Sequence, residues 1–455
     1  MAARRGDFVS NLGRIYGLYT GGFIGFVIIL AILEQVGVPN KVIGYLFMFL
    51  TILVYAIIGI IARTAQVSEY YVAGRRVPAF YNGMATAADW MSAASFIGMA
   101  GTLYALGYDG LAFVLGWTGG YVLVAVLLAP YLRKFGAYTV PDFLGARYGG
   151  NVARLLGILV LMAASFTYVV SQVYGVGIIV TRFLGLQFEI AVFVGLVGIL
   201  VCSMLGGMRA VTWTQVAQYV ILIIAYLLPV VILSAQITGV PVPQLMYGEI
   251  LQKVGELEKT LGVAKAHVEP FLTYDPLNFF GLIFCLMLGT AALPHVLMRY
   301  FTTPSVREAR LSVGWSLLFI FLLYFTAPAY AVFAKYEVYS SVLGQPIASL
   351  PAWVAAWGET GLVAIKDANG DGILQFAELT INNDVIVLAT PEIAGLPYVI
   401  AGLVAAGGLA AALSTADGLL LAIANALSHD VYYRMVDPTA GTKRRLIVAR
   451  VLLIG

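Results

Sequence analysis

The sequence predicts an all-α, polytopic membrane protein, and three observations carry that prediction. Of its 455 residues, 61% are hydrophobic and 11% are charged, with a mean hydropathy of +0.92; soluble domains of this length carry far more charge. Apolar windows of about 20 residues, the length that crosses a bilayer, recur along the chain. Lys and Arg fall in alternate short connections between those windows, the asymmetry that orients membrane helices.

In chain order the windows lie near 15–36, 42–63, 83–106, 111–131, 153–182, 188–206, 214–236, 277–298, 311–334 and 396–428, and a further one opens at Leu446 and is cut off at Gly455. MAARRGD precedes the first, and no small-residue cleavage site closes it, so it reads as a retained helix. Arg4 and Arg5, Arg75 and Arg76, Arg133, Lys134 and Arg147, Arg209, Arg307 and Arg310, and Arg434 with Lys443 to Arg445 all fall on one side. That places the N-terminus in the cytoplasm and the loops 237–276 and 335–395 outside, in a multi-pass protein of the cell inner membrane. Within the first outer loop, 243–266 mixes apolar and charged positions at helical spacing and predicts a surface helix.

Composition also excludes. The net charge of +3 is spread over short loops, which gives no nucleic-acid surface. Cys202 and Cys285 both lie inside predicted spans, so no disulfide framework is available, and His267, His295 and His429 are too scattered for a His-rich metal site. No nucleophile–base pair, phosphate loop or metal cluster marks an enzyme. The oligomeric state is not legible.

Polar residues inside the spans locate the function. GMATAADWMSAASFIGMAG (83–101) carries Asp89 within a membrane-length segment, with Thr86, Ser92 and Ser95 beside it. Hydrocarbon strongly disfavours an unpaired carboxylate, so Asp89 faces protein, water or an ion. The window ending in GTAALPHVLMRY has Gly289, Thr290 and Pro294 within six residues, which interrupts a regular helix. GLVAAGGLAAALSTADGLLL is dense in Gly and Ala around Ser414, Thr415 and Asp417. There Ala411, Ser414 and Thr415 stand at i, i+3 and i+4, on one helix face. Interrupted helices in corresponding positions of two halves point to a transporter's binding site.

The same segments carry a resemblance. SEYYVAGRRVPAFYNGMATAADWMSAASFIGMAG, YTVPDFLGARYG and ALSTADGLLLAIANALSHDVY, supported by GGMRAVTWTQ and LPHVLMRY, make the chain from about Val67 onward resemble the solute:sodium symporter family. Within it, the wording of the first segment is closest to the cation/acetate (monocarboxylate) branch. The resemblance implies a five-plus-five inverted-repeat transporter fold with extra N-terminal helices and a truncated C-terminal end. Its units would be 1–82 (two helices and a cytoplasmic loop), 83–236 (first repeat), 237–276 (outer loop) and 277–455 (second repeat, incomplete). The implied activity is cation-coupled, sodium-type symport of a small organic anion such as acetate by alternating access. A membrane sensor module of a signalling kinase is the alternative class, told apart by the sequence beyond Gly455; proton coupling or another solute is the alternative within transport.

By residue match, the resemblance implies sodium ligands at the carbonyls of Ala88, Met91 and Ala411 and the hydroxyls of Ser414 and Thr415. Oxygen ligands suit a hard cation, and free carbonyls exist only where a helix is broken; the alternative for both hydroxyls is back-bonding to their own helix. Gln215 departs from the family, where many relatives carry an acid, which puts the ion-release route in doubt; Asp417 either supplies that charge or is buried against a neighbouring hydroxyl. No Lys or Arg falls in the middle of the candidate core helices, so an anion would lean on half-helix N-termini near Ser92–Ser95 and past 289–294. Asp89, Trp90, Ser92, Ser95, Tyr168, Thr290 and Pro294 are the candidate solute contacts.

One motif owes nothing to the resemblance. DANGDGILQFAE (367–378) fits a calcium loop at every specified position. Asp367, Asn369 and Asp371 would supply side-chain oxygens, Ile373 its carbonyl, Gln375 a contact through water and Glu378 a bidentate carboxylate, with Gly372 at the sharp turn. The plain alternative is a polar turn. The flanks, VAIK and LTINND, allow only short helices. Calcium here would pin the outer loop over the transport helices.

Overall fold

The structure, a computed structural model, describes residues 9–204 and 206–454. Arg4, Arg5 and Gly455, and the side chain of Cys202, lie outside the described residues. Among the described residues every predicted window falls on helix, with breaks inside those at 83–106 and 277–298. Helices α1 (Leu12–Gln35) and α2 (Asn40–Ile61) come first. The window at 83–106 splits into α3 (Ala79–Trp90) and α4 (Met99–Leu106), and α5 (Leu111–Leu123) continues helically to Phe135. A short α6 (Val140–Tyr148) precedes α7 (Asn151–Leu184), α8 (Phe188–Ser203) and α9 (Gly207–Thr238). The predicted surface helix is α10 (Pro243–Thr260). Then come α11 (Pro276–Ala291), the single turn α12 (Pro294–Leu297), α13 (Val306–Ser341), α14 (Ile386–Ile393), α15 (Tyr398–Asn425) and α16 (Thr442–Ile454). Among the described residues, seven helices are long and apolar enough to cross a membrane. An eighth is added if Pro276–Ala291 and Pro294–Thr302, bent by 47°, count as one span.

The core is built around α15, which is buried almost throughout and packs on α7 and α9. Its Gly/Ala content is the reason it can sit there. A Cβ on Gly407 would collide with the Ala225 Cβ, and one on Gly418 would collide with the Asp89 Oδ1. Neither position has room for any side chain, so small residues set how closely the backbones approach. The outer helices do the reverse: Leu18, Ile29, Leu159, Leu277 and Phe284 are exposed, as expected for faces turned to lipid tails.

The two long loops share one end of the bundle. Tyr108 donates its N–H to the His267 carbonyl (2.8 Å), and the Asn383 carbonyl rests on Gly101 of α4. Asp109 accepts from the N–H groups of Phe271, Thr273 and Tyr274, and Lys335 pairs with Glu258 of α10 at 3.7 Å. In the second loop, the flanks of the 367–378 motif are strands, not the short helices expected. Strands β1 (Val363–Ile365) and β2 (Leu379–Ile381) pair antiparallel, Ile365 opposite Leu379. The β-branched residues of VAI and LTI favour that pairing. At the opposite end, Thr139 caps α6 by accepting from the Asp142 N–H, and Asp142 lies 3.4 Å from His429 beyond α15.

Candidate functional site

Two broken helices and one intact helix meet at the centre. Helix α3 stops at Trp90, where Met91 takes φ −81°, ψ 74°, and helical geometry resumes near Ala94 in a wide turn. No Gly or Pro stands at this break, so neighbouring groups hold it open. The carboxamide oxygen of Gln172 in α7 accepts the freed Ala93 N–H at 2.9 Å. The Ser414 hydroxyl donates to the Ala88 carbonyl at 2.7 Å, and Thr415 donates to the Asp89 carbonyl at 3.0 Å. Unwound backbone survives at membrane depth only when its polar groups are satisfied in this way. The second break has a local cause: Pro294 lacks an N–H and starts α12 after the non-helical Leu293.

Four of the five predicted cation ligands therefore converge. Ser414 Oγ lies 2.7 Å from the Ala88 carbonyl and 3.0 Å from the Ala411 carbonyl, while Thr415 Oγ1 lies 3.5 Å from the Ala88 carbonyl. Met91, the fifth, sits at the break itself, with its N–H on the Ala87 carbonyl. Ser414 thus both back-bonds to its own helix and reaches across the break. An all-oxygen, uncharged donor set of this kind fits a hard monovalent cation.

Behind it lies a charge network that corrects the sequence reading. Arg299, in the tight turn after α12, is fully buried, so the core does contain a cation. Its Nε donates to Asp89 Oδ2 at 2.9 Å, and its NH1 donates to Thr212 Oγ1 at 3.0 Å. Its NH2 donates to the Gln215 side-chain oxygen, and Gln215 Nε2 donates in turn to the Ser414 carbonyl at 2.7 Å. Asp89 is therefore not a free solute contact, because its charge is committed to Arg299. Gln215 has a role suited to its neutrality: a carboxylate cannot accept from Arg299 and donate to Ser414 at once. Asp417 is fully buried near the Ser203 hydroxyl, and among the described residues neither of its carboxylate oxygens is within hydrogen-bonding geometry of a donor.

On the other side of the break, several predicted contacts meet. Trp90 Nε1 donates to the Tyr324 hydroxyl (2.9 Å), which also bonds the Ser95 hydroxyl (3.0 Å). Tyr168 donates to Ser92 Oγ at 2.7 Å, and the buried His295 ring lies 5.7 Å from the Tyr168 ring. The Trp90 ring stands edge-on to Tyr121, which is hydrogen-bonded to Tyr300. Thr290 does not join this group. Its hydroxyl donates back to the Leu286 carbonyl, and it packs against Gly120 of α5. Pro294 is buried and acts as the breaker of the helix. The amides of Ala93 and Ser95, expected to receive an anion, already donate to Gln172 and to Ser92 Oγ. Sequence reasoning missed Arg299, Gln172, His295 and Tyr324. Only Arg299 left a signal, a charge at the very end of an apolar window.

The 367–378 loop folds on itself. Asp367 accepts from the N–H groups of Gly370 and Gly372, and Asp371 accepts from Ile373 N–H and Gln375 Nε2. Glu378 accepts from the N–H groups of Ala368 and Gln375 and is buried. Gly372 has φ +70°, as the turn requires.

Comparison with known proteins gives a consistent picture. The sequence model of the sodium:solute symporter family matches residues 70–454. An uncharacterised symporter of Cupriavidus necator is 46% identical over 557 aligned residues, spanning 100% of this chain and 82% of the relative. A solved structure, described as the substrate-bound outward-open state of a Na+-coupled sialic acid symporter, shares the fold. It matches with a TM-score of 0.67 at 19% identity, over 90% of this chain and 78% of that one.

Proposed function

Since the chain belongs to the sodium:solute symporter family, and is a membrane transporter and not an enzyme, we propose that it couples entry of sodium to entry of a small monocarboxylate such as acetate. The observation that carries this reading is the pair of hydroxyls, Ser414 and Thr415, donating across the broken helix to the carbonyls of Ala88 and Asp89. A sodium ion takes the place of those hydroxyl protons: Ser414 and Thr415 rotate to offer lone pairs, and Ala88, Ala411 and Met91 contribute carbonyls. Binding then ties α3 to α15 through the ion, and losing it releases them.

The solute site of this reading is the group Trp90, Ser92, Ser95, Tyr168 and Tyr324, with His295 beside it. Arg299 is held by Asp89, so the carboxylate meets uncharged donors: the hydroxyls of Ser92, Ser95, Tyr168 and Tyr324 and the indole N–H of Trp90. Crowding by three aromatic rings favours a small solute. The chain is read with its N-terminus in the cytoplasm, in keeping with the Lys/Arg asymmetry, and with 83–236 and 277–455 as the two repeats. The loop 367–378 is read as a structural calcium site on the outer face, from its match to the ligand pattern and the +70° turn at Gly372.

Uptake of radiolabelled acetate into proteoliposomes, driven by an inward sodium gradient, tests the function. Accumulation that stops when potassium replaces sodium is the expected result. Equal accumulation in both salts overturns sodium coupling.

A further inference from the structure

A cavity of about 440 Å³ opens between α1, α2 and the start of α9, away from the transport site. Tyr16, Ile57, Ile61 and Trp213 form its apolar walls, and Glu69, Arg76 and Arg209 stand at its rim. Ile57 and Ile61 are 46% and 73% exposed and belong to α2, one of the helices of membrane length, so we read the cavity as open sideways toward the lipid tails. Ile61 ends α2 and Tyr16 lies in the second turn of α1, which puts the charged rim at headgroup depth.

The rim carries surplus positive charge. Glu69 is spent, accepting from Arg209 at 3.0 Å and from the Thr64 hydroxyl at 2.5 Å. Arg76 is exposed and, among the described residues, makes no ion pair. The exposed Arg14 and Arg63 adjoin the lining residues Ile15 and Ala62. An occupant that fits must bring an apolar chain to the walls and net negative charge to the rim. We propose that this cavity binds an anionic phospholipid of the leaflet at that end of the bundle. A zwitterionic headgroup has the tail but not the net charge, and a soluble anion has the charge but not the tail.

The site bears on transport through its walls. Tyr16 donates to the Trp213 carbonyl at 2.8 Å, and Tyr19 donates to the Ala217 carbonyl at 3.2 Å. Both acceptors are on α9, the helix whose Thr212 and Gln215 hold Arg299. A lipid wedged here stiffens the contact between the N-terminal helices and that network.

Native mass spectrometry of the whole protein, with equimolar phosphatidylglycerol and phosphatidylcholine of the same chains, tests the proposal. Phosphatidylglycerol should be retained preferentially. Arg76→Gln should weaken its retention about fivefold, the size of one basic side chain at an anionic surface. Ile57→Trp, which fills the cavity, should abolish the preference. Glycerol phosphate at millimolar concentration should not displace the lipid. Equal retention of both lipids, an unaltered preference in Arg76→Gln, or displacement by glycerol phosphate would each overturn it; if Ile57→Trp does not fold, the Arg76 variant decides.

Discussion

Asp89 and Arg299, 210 residues apart in the chain, face each other at 2.9 Å with both side chains entirely buried. The pair joins the break in α3 to the turn just past the break in the second interrupted helix. Removing either partner alone strands a charge in a dry interior, at about 3–5 kcal/mol. Arg299→Gln and Asp89→Asn should therefore each lower the melting temperature in detergent sharply. The double variant should recover most of the loss, since an amide pair needs no charge compensation. Losses that simply add would show that the two side chains are not coupled.

Ser414→Ala and Thr415→Ala each remove one proposed sodium ligand from a helix that accepts alanine readily. The sodium concentration for half-maximal uptake should rise by at least about tenfold, from roughly 1.5 kcal/mol for a contact with a charged group. Thr415→Ser keeps the oxygen and should stay near wild type. Unchanged sodium dependence in both alanine variants, with normal insertion, removes them from the site.

Tyr324 offers a contrasting readout. Its hydroxyl joins Trp90 to Ser95 but touches none of the proposed ion ligands. Tyr324→Phe should raise the KM for the solute about fivefold, near 1 kcal/mol for one hydrogen bond, and leave the sodium half-saturation in place. A shift in sodium affinity alone would move Tyr324 out of the solute site.

Calcium should raise the melting temperature of the wild type and not that of Glu378→Gln, which lacks the bidentate carboxylate the pattern requires. A wild type that does not respond to calcium makes 367–378 a turn held by its own hydrogen bonds.

His267 makes the outer loop sensitive to acid. Burial, with Lys335 nearby, pushes its imidazole from the usual 6.5 down to about 3. The folded protein thus holds His267 neutral at pH values where the unfolded chain protonates it. Nothing is lost above about pH 6.5; below it stability falls, by about 2 kcal/mol at pH 5, until the folded group also titrates. The melting temperature should drop between pH 7 and pH 5 by an amount that His267→Gln largely abolishes. An equal drop in that variant would assign the acid sensitivity elsewhere.

The spans are legible because each is a long apolar run, and the two broken helices because Asp89 with its neighbouring small polar residues interrupts one run and Gly289, Thr290 and Pro294 interrupt another. Spacing puts Ala411, Ser414 and Thr415 on one helix face, and the family resemblance, matched residue by residue, pairs them with Ala88. Arg299 could not be placed by either. In sequence it looks like a charge just past a span, and only the 47° bend at Pro294 carries it back into the core. Tyr324 and Gln172 were equally hidden, since an aromatic or an amide within a long helix has no mark that separates packing from contact. The strands around 367–378 show the converse: the loop was recognised, but pairing between β1 and β2, a contact across the loop, decided the structure on either side of it.

The mutual neutralisation of Asp89 and Arg299 also has an electrical consequence. A lone charge carried through the membrane field exchanges about 2.3 kcal/mol with every 100 mV, so an isolated carboxylate at the α3 break would make each swing of that helix a gating event. A locked pair presents the field with a dipole instead, and rocking it does almost no electrical work. This pair then adds little to any voltage dependence of the cycle; of the cargo proposed above, one sodium ion with one monocarboxylate would cross silently, and each additional sodium ion would add a unit of current.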